Sequence, residues 1–222
     1  MKTHRLLSFA LRLIPLAGAF ALTSFAGAQT IVNGSFDESS GAKIAPETGY
    51  LQAAPYGWSW DNSSFYWIAD GGLDGIRSDD GGVFVGLQRG STTQLLDAVL
   101  RQSLTGLAAG ESYEVSFLVR ARNAVSEGGT WTVSVSDSDA ILGSLSDNPI
   151  AGSWAEYSFV FIATDENPVL RLSFTNNLGG DYMVLFDNLT VTQVVPEPAA
   201  MAAFAGAGVL LVAFVLRRRR NT

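Results

Sequence analysis

The chain has 222 residues, with 14 Lys and Arg, 21 Asp and Glu, no Cys and one His, His4, which lies in a segment that we expect to be removed. Without imidazole or thiol, a mature protein has no Ser-His-Asp triad, no cysteine nucleophile and no His/Cys zinc site. Three basic residues lie near the N-terminus and four at the C-terminus, which leaves seven against 21 acids between them, a formal net charge of −14. Nucleic acid is therefore a poor partner, because a phosphate backbone needs a basic face.

Residues 1–28 have the order of a secretory signal peptide. Three basic side chains lie among the first twelve residues, and an uncharged stretch of 13 residues follows over 13–25. Ala26 and Ala28 then place small residues at the two positions that signal peptidase inspects. The uncharged stretch is shorter than the ~20 residues that span a bilayer, which argues against a membrane anchor here. We therefore expect export and cleavage after Ala28.

The middle of the chain, residues 29–194, reads as one β domain. Apolar and polar residues alternate with period two in four long runs, and this pattern puts one face of a strand in a core. The long runs are 113–122, 131–136, 157–161 and 170–175, and shorter candidates are 65–69, 83–88, 99–104 and 183–192. Glycine pairs and Asn/Asp/Ser clusters separate them. About eight or nine strands without an amphipathic helix predict an all-β, antiparallel β-sandwich.

Three patches of this domain carry a resemblance. They are I-V-N-G-S-F-D at 31–37, Q-S-L-T-G-L-A-A-G-E-S-Y at 102–113 and L-F-D-N-L-T-V at 185–191. In this order they resemble the galactose-binding-like jelly-roll domains, which include carbohydrate-binding modules and open with N-G-S-F-E. The match spans most of residues 31–193, with Asp37 where that family usually has glutamate. The resemblance implies a jelly-roll sandwich and a saccharide ligand.

Asp187 is the acidic residue whose position in a predicted strand is most informative. It shares the apolar side of the run 183–191, so an ideal strand would point its carboxylate into the core. An unpaired buried carboxylate costs several kcal/mol, so it must be neutralised, hydrogen-bonded or metal-bound. One interpretation is a structural calcium held by Asp37 and Asp187, because calcium prefers hard oxygen ligands and related jelly-roll modules hold such an ion. The alternatives are a β-bulge that turns the acid to solvent, or backbone amides that bind it.

The segment 70–82 contains four aspartates among five glycines. It lacks the spacing of an EF-hand loop, so solvated acidic turns are the simplest interpretation. Weak calcium binding is an alternative, as is a carboxylate pair for glycoside hydrolysis. Hydrolysis needs two carboxyl groups roughly 5 to 10 Å apart, and nothing in the sequence selects such a pair.

Seven aromatic residues lie between positions 50 and 67, the densest aromatic cluster of the chain. Trp58 and Trp67 are expected to fill the sandwich core, as large aromatic side chains usually do. Exposed aromatic planes beside polar groups suit the apolar faces of sugar rings. Tyr56, Trp60 and Tyr66 are the candidates for such a saccharide platform.

Residues 199–216 predict a transmembrane helix. These 18 residues have no charge, and at ~1.5 Å each they reach roughly 27 Å, about the thickness of a hydrocarbon core. A basic cluster, which holds its end of such a helix on the cytoplasmic side, follows directly as Arg217, Arg218, Arg219 and Arg220. We therefore expect a precursor tethered to the inner membrane by its C-terminus, with the β domain outside.

The tetrapeptide Val195, Pro196, Glu197 and Pro198 precedes this helix. Its two prolines favour extended, accessible backbone. Pro-Glu-Pro, apolar helix and arginine cluster together, over residues 195–222, resemble the PEP-CTERM sorting signal of Gram-negative bacteria. The resemblance implies cleavage by a membrane-embedded exosortase and an association with exopolysaccharide production.

The sequence as a whole predicts an exported protein, without catalytic residues, that ends at the cell surface or outside the cell. Signal peptidase and exosortase would process it, and its sandwich would bind exopolysaccharide or an envelope glycan. A glycoside hydrolase that uses Asp and Glu is one alternative, since such an enzyme needs neither His nor Cys. A purely structural surface protein is the other.

Overall fold

The structure is a computed structural model that describes residues 31–44, 48–61, 65–89, 97–164, 167–175 and 181–195. The predicted signal peptide with Ala26 and Ala28, the Pro-Glu-Pro tripeptide, the predicted membrane helix and the arginine cluster lie outside these residues. Within the described ranges, no helix has both the length and the apolar character needed to span a bilayer.

The described residues form two antiparallel sheets that pack face to face. The six-stranded sheet has the order β1 (Tyr50–Leu51), β3 (Phe65–Ala69), β4 (Val83–Arg89), β11 (Tyr182–Gln193), β6 (Ser112–Ala121) and β9 (Ala155–Ile162). The five-stranded sheet has the order β2 (Ser59–Asp61), β5 (Ala98–Ser103), β10 (Val169–Thr175), β7 (Thr130–Asp137) and β8 (Ala140–Asp147). A short 3₁₀ helix covers Ala124–Gly128. The predicted all-β sandwich is confirmed.

The described part of the chain has two strands more than the upper end of the prediction. Three strands match none of the predicted runs: β1, β2 and β8. β1 and β2 contain two and three residues, which is too few for a period of two to be recognised, and β8 has no buried residue and no strict alternation of burial. All three lie at sheet edges. The longer predicted strands agree with the structure to within a residue or two at each end.

The main core lies between the two sheets. Along β6 each odd-numbered residue is buried and each even-numbered residue is half-buried, which is the alternation that the sequence predicted. Trp58 and Trp67 are buried in this core, as expected. Their indole N–H groups donate to the carbonyl oxygens of Asn33 at 3.1 Å and Phe36 at 2.7 Å, so burial of the rings leaves neither donor unpaired.

A second, smaller apolar cluster lies on the outer face of the six-stranded sheet. It contains Ile68, Leu73, Ile76, Phe84, Met183 and Leu185, with Tyr66 and Trp154 packed against it. Segment 70–82, expected to be solvated acidic turns, contributes Leu73 and Ile76 and so covers part of this face. The face is therefore partly protected from water.

A β-bulge in β11 changes the expected orientation of Asp187. The pairing with β6 shifts register between Asp187 and Thr190, and Asn188 has a left-handed φ of 49°. Leu189 therefore packs in the main core with Val184 and Phe186. The sequence predicted Asp187 on the same side as Leu189 and Val191, but the bulge separates them and leaves Asp187 on the outer side with Leu185.

Candidate functional site

A pocket of about 200 Å³ opens on the outer face of the six-stranded sheet. Its lining comes from four strands and three connecting segments: Tyr50, Tyr66, Leu73, Gln88, Arg122, Asp181 and Met183. Gln88 on β4 lies directly opposite Met183 on β11 in the sheet register. The volume is below the ~300 Å³ at the lower end for drug-sized ligands, so it suits a ligand of about one ring.

Two tyrosine rings contribute apolar surface to the mostly polar lining of the pocket. The ring centroids of Tyr50 and Tyr66 are 5.4 Å apart, and their planes meet at 89°. Tyr66 points to this face because its neighbours Phe65 and Trp67 point into the main core, and side chains alternate along a strand. Leu73 and Met183 add further apolar surface from the second cluster.

The polar side of the pocket is a network centred on Arg122. Its Nε donates to Asp74 Oδ2 at 2.6 Å and its Nη1 to Asp181 Oδ2 at 2.9 Å, while Gln88 Nε2 donates to Asp181 Oδ1. Only 17% of the Arg122 side chain is exposed, against 50% for Asp74 and 60% for Asp181. The bond to Asp74 and the charge of Asp181 raise the pKa of Arg122 above its ordinary value, so the guanidinium stays charged.

The arrangement suits binding of a small polyol. Flat apolar walls with a few fixed polar groups are typical of small-ligand sites. Carboxylates accept hydrogen bonds and guanidinium and amide N–H groups donate them, so the pocket offers both kinds of partner to hydroxyl groups. Because Arg122 is held by two ion pairs, these groups are oriented before a ligand arrives.

Of the three predicted platform residues, only Tyr66 lines this pocket. Trp60 lies on β2 of the other sheet, half exposed, and packs against Phe65 at 5.0 Å between ring centroids. Tyr56 is exposed in the connection before β2. Residues close in sequence were expected to share a surface, but the chain crosses from one sheet to the other between Trp60 and Phe65, so the three rings do not form one platform.

Asp187, the buried acid of the sequence analysis, lies beneath segment 70–82 and not in the pocket. It is fully buried. Its Oδ1 accepts the Asn188 amide at 2.8 Å, and its Oδ2 lies 2.9 Å from Ser78 Oγ and 3.4 Å from the Asp79 amide nitrogen. The carboxylate is thus bound by backbone amides and a hydroxyl and does not face solvent, although the bulge is present. Burial raises the pKa of Asp187 to about 6.

Asp37 is exposed, and its Oδ1 accepts the Val83 amide at 2.8 Å. Both acids therefore already accept hydrogen bonds in the structure. The described residues contain no group of three or more His, Cys, Asp or Glu side chains placed to hold a metal ion. Calcium at Asp37 and Asp187 stays a prediction.

No protein-family model matches the sequence, and the comparison with curated proteins gives no match. Solved structures are similar at the level of the fold. The Stig cyclase Fisc from Fischerella sp. TAU, in complex with (3Z)-3-(1-methyl-2-pyrrolidinylidene)-3H-indole, has a TM-score of 0.58 and 18% identity over 77% of this chain and 99% of its own. The carbohydrate-binding module TmCBM61, in complex with β-1,4-galactotriose, has a TM-score of 0.50 and 14% identity, over 76% of this chain and 100% of its own.

A third similar structure is the arabinose-bound α-L-arabinofuranosidase MgGH51. It has a TM-score of 0.55 and 14% identity over 75% of this chain and 26% of its own. At these identities the likeness shows the fold alone. The chain therefore has a jelly-roll β-sandwich of a kind found in a carbohydrate-binding module, a cyclase and part of a glycosidase.

Proposed function

We propose that the β-sandwich binds a saccharide in the pocket on the outer face of the six-stranded sheet, without catalysis. The observation that carries this proposal is the convergence of two tyrosine walls, Tyr50 and Tyr66, with the Arg122 network in one small pocket. A sugar ring has apolar C–H faces and several hydroxyl groups, and both find partners there. TmCBM61, which shares the fold, was solved with β-1,4-galactotriose, so galacto-oligosaccharides are the first ligands to test.

The position of Asp187 favours binding over hydrolysis. Glycoside hydrolysis needs a carboxylic acid with a raised pKa beside the scissile bond. Among the described carboxyl groups, a raised pKa is found for Asp187, which is fully buried beneath Ser78 and Asp79 and does not line the pocket. Asp181, which lines the pocket, and Asp74 next to it are both paired with Arg122, so neither carboxyl group is without a partner.

The proposal includes export and processing at both ends. The sequence features of residues 1–28 and 195–222 support it: a signal peptide, then a tether cleaved by an exosortase, with the mature protein at the cell surface or in an exopolysaccharide matrix. Intact mass spectrometry of the protein from the producing cell tests this. We expect a mass that corresponds to loss of residues 1–28 and of the C-terminal apolar segment, whereas a full-length mass would contradict it.

Tyr66→Ala should weaken saccharide binding about tenfold or more, a loss of ~1.4 kcal/mol or more, because it removes one of the two pocket walls. Isothermal titration with galacto-oligosaccharides and with the polysaccharide of the producing cell measures the effect. Trp60→Ala is the matched control, since it removes a half-exposed aromatic ring outside the pocket.

Two outcomes would contradict the proposal. A loss of affinity in Trp60→Ala but not in Tyr66→Ala would move the site to the other sheet. New reducing ends released from a bound polysaccharide would favour the hydrolase alternative.

A further inference from the structure

We infer that the pocket accepts an uncharged sugar ring and rejects the corresponding uronic acid; this inference rests on the proposed saccharide site. It follows from the charges around the pocket. Two carboxylates, Asp74 and Asp181, flank one guanidinium, Arg122, so the network has a net charge of −1.

The guanidinium is already committed to protein partners. Its Nε and Nη1 donate to Asp74 and Asp181 at 2.6 and 2.9 Å, and most of the side chain is buried. An incoming sugar carboxylate could use only the N–H groups of Arg122 that these two bonds leave over. It would then approach a cation whose charge is already balanced by two carboxylates, so it gains less attraction than an unpaired guanidinium would give.

The two carboxylates, by contrast, are exposed, and Asp181 lines the pocket. Half or more of each side chain is exposed. A third carboxylate close to both would meet like charges, which disfavour its ionised form within ~4–6 Å. The acidic middle of the chain, with 21 acids against seven basic residues, adds a long-range field of the same sign.

A sugar hydroxyl group, unlike a carboxylate, is attracted by the same aspartates. An ionised carboxylate has about four lone-pair sites, and Asp181, which lines the pocket, uses two of them for Gln88 and Arg122, so acceptor sites remain for a ligand. A hydroxyl that donates to Asp181 forms a charge-assisted bond, the stronger class of hydrogen bond. A hydroxymethyl group next to Asp181 is therefore favoured over the carboxylate that a uronic acid would place there.

The test uses matched pairs that differ only at that group. The protein purified from the producing cell is titrated by NMR at pH 7 and low ionic strength with methyl galactoside against methyl galacturonide, and with methyl glucoside against methyl glucuronide. We expect the neutral member to bind at least about tenfold more tightly, with a ratio that falls as salt is added. Asp181→Asn should reduce the ratio by about threefold or more, because it removes one of the two like charges, and Asp74→Asn provides a second variant should the first not fold.

Asp139→Asn is the control, because it removes the same charge from the exposed turn between β7 and β8 of the other sheet. A uronide that binds as tightly as its neutral partner would overturn the selectivity while the saccharide site stands. A ratio that neither Asp181→Asn nor Asp74→Asn changes would also overturn it. No binding of any of the four glycosides would overturn the selectivity and the proposed site together.

Discussion

The unfolding free energy of the wild-type domain, measured relative to that of the Asp187→Asn variant, should fall by roughly 2 to 3 kcal/mol as the pH rises from 4 to 7. The folded pKa of Asp187 is about 6, raised from 3.8 by burial, so over this range the folded state binds a proton that the unfolded state has lost. The unfolding free energy then decreases as pH rises. Its slope with pH is proportional to the number of protons bound by the unfolded state minus the number bound by the native state. The contribution is fully present below about pH 3.8 and lost above about pH 6.

The geometry around Ser78 explains why the protonated acid is favoured. Ser78 Oγ lies 2.6 Å from Asp80 Oδ1 and 2.9 Å from Asp187 Oδ2, but one hydroxyl has one proton to donate. When Asp187 is protonated, it donates to Ser78, which donates to Asp80, and Asp80 Oδ1 also accepts the Gly82 amide at 2.8 Å. When Asp187 is ionised, two carboxylates compete for one hydroxyl proton, and the charge of Asp80 adds to the cost.

Chemical denaturation of both proteins at each pH measures this difference directly. The side-chain amide introduced by Asp187→Asn keeps the shape of the acid and donates to Ser78 at every pH, so the curve of this variant shows the titration of all other groups. Asp79→Asn is the control, because the Asp79 side chain is exposed next to the same contact. If the unfolding free energy of the wild type minus that of Asp187→Asn is constant from pH 4 to pH 7, the assignment of the raised pKa to Asp187 is contradicted.

Calcium changes this expectation in a way that tests the predicted site. A calcium ion at Asp37 and Asp187 would hold the acid ionised, so adding the metal would raise the wild-type unfolding free energy at pH 7 through preferential binding to the folded state. Metal analysis of the folded domain would then find the ion. An equal effect of calcium on Asp187→Asn would contradict binding at Asp187.

The fold was largely predictable because its signal is local. The alternation along residues 113–121 and 131–136 survives unchanged as β6 and β7, since each inward residue meets the same core. The sequence allows a bulge at Asp187 that turns the acid to solvent, and the structure has the bulge but buries the acid. A one-residue shift moves Leu189 and Val191 to the other face, and the sequence does not show that segment 70–82 covers Asp187 there.

The pocket was less predictable because its polar residues are distant in sequence. Arg122 directly follows β6, Asp74 lies in segment 70–82 and Asp181 directly precedes β11, and nothing in a single sequence links them. Tyr66 was found because an aromatic residue in a predicted strand is itself a signal. The missed clue was its position between Phe65 and Trp67, which requires it to point away from the core.

Gly34→Ala should destabilise the domain by about 3 kcal/mol or more, the upper range for overpacking, because the added atom meets backbone. A Cβ at position 34 would overlap the carbonyl oxygen of Leu189. The same two residues are joined by a hydrogen bond from the Leu189 amide to the Gly34 carbonyl oxygen at 3.0 Å. The contact therefore fixes the opening N-G-S-F segment against the strand that follows the Asp187 bulge.

Neither partner of this contact has an easy way to move. Leu189 lies just after the bulge, where its side chain is buried in the main core, so shifting its carbonyl would disturb β11 and its pairing with β6. Ser35→Ala is the matched control: it changes the next residue of the same segment without adding an atom. Urea unfolding of both variants measures the difference. Stability of Gly34→Ala within about 0.5 kcal/mol of the wild type, the usual range for surface substitutions, would show that the opening segment is not held against β11 as closely as this contact requires.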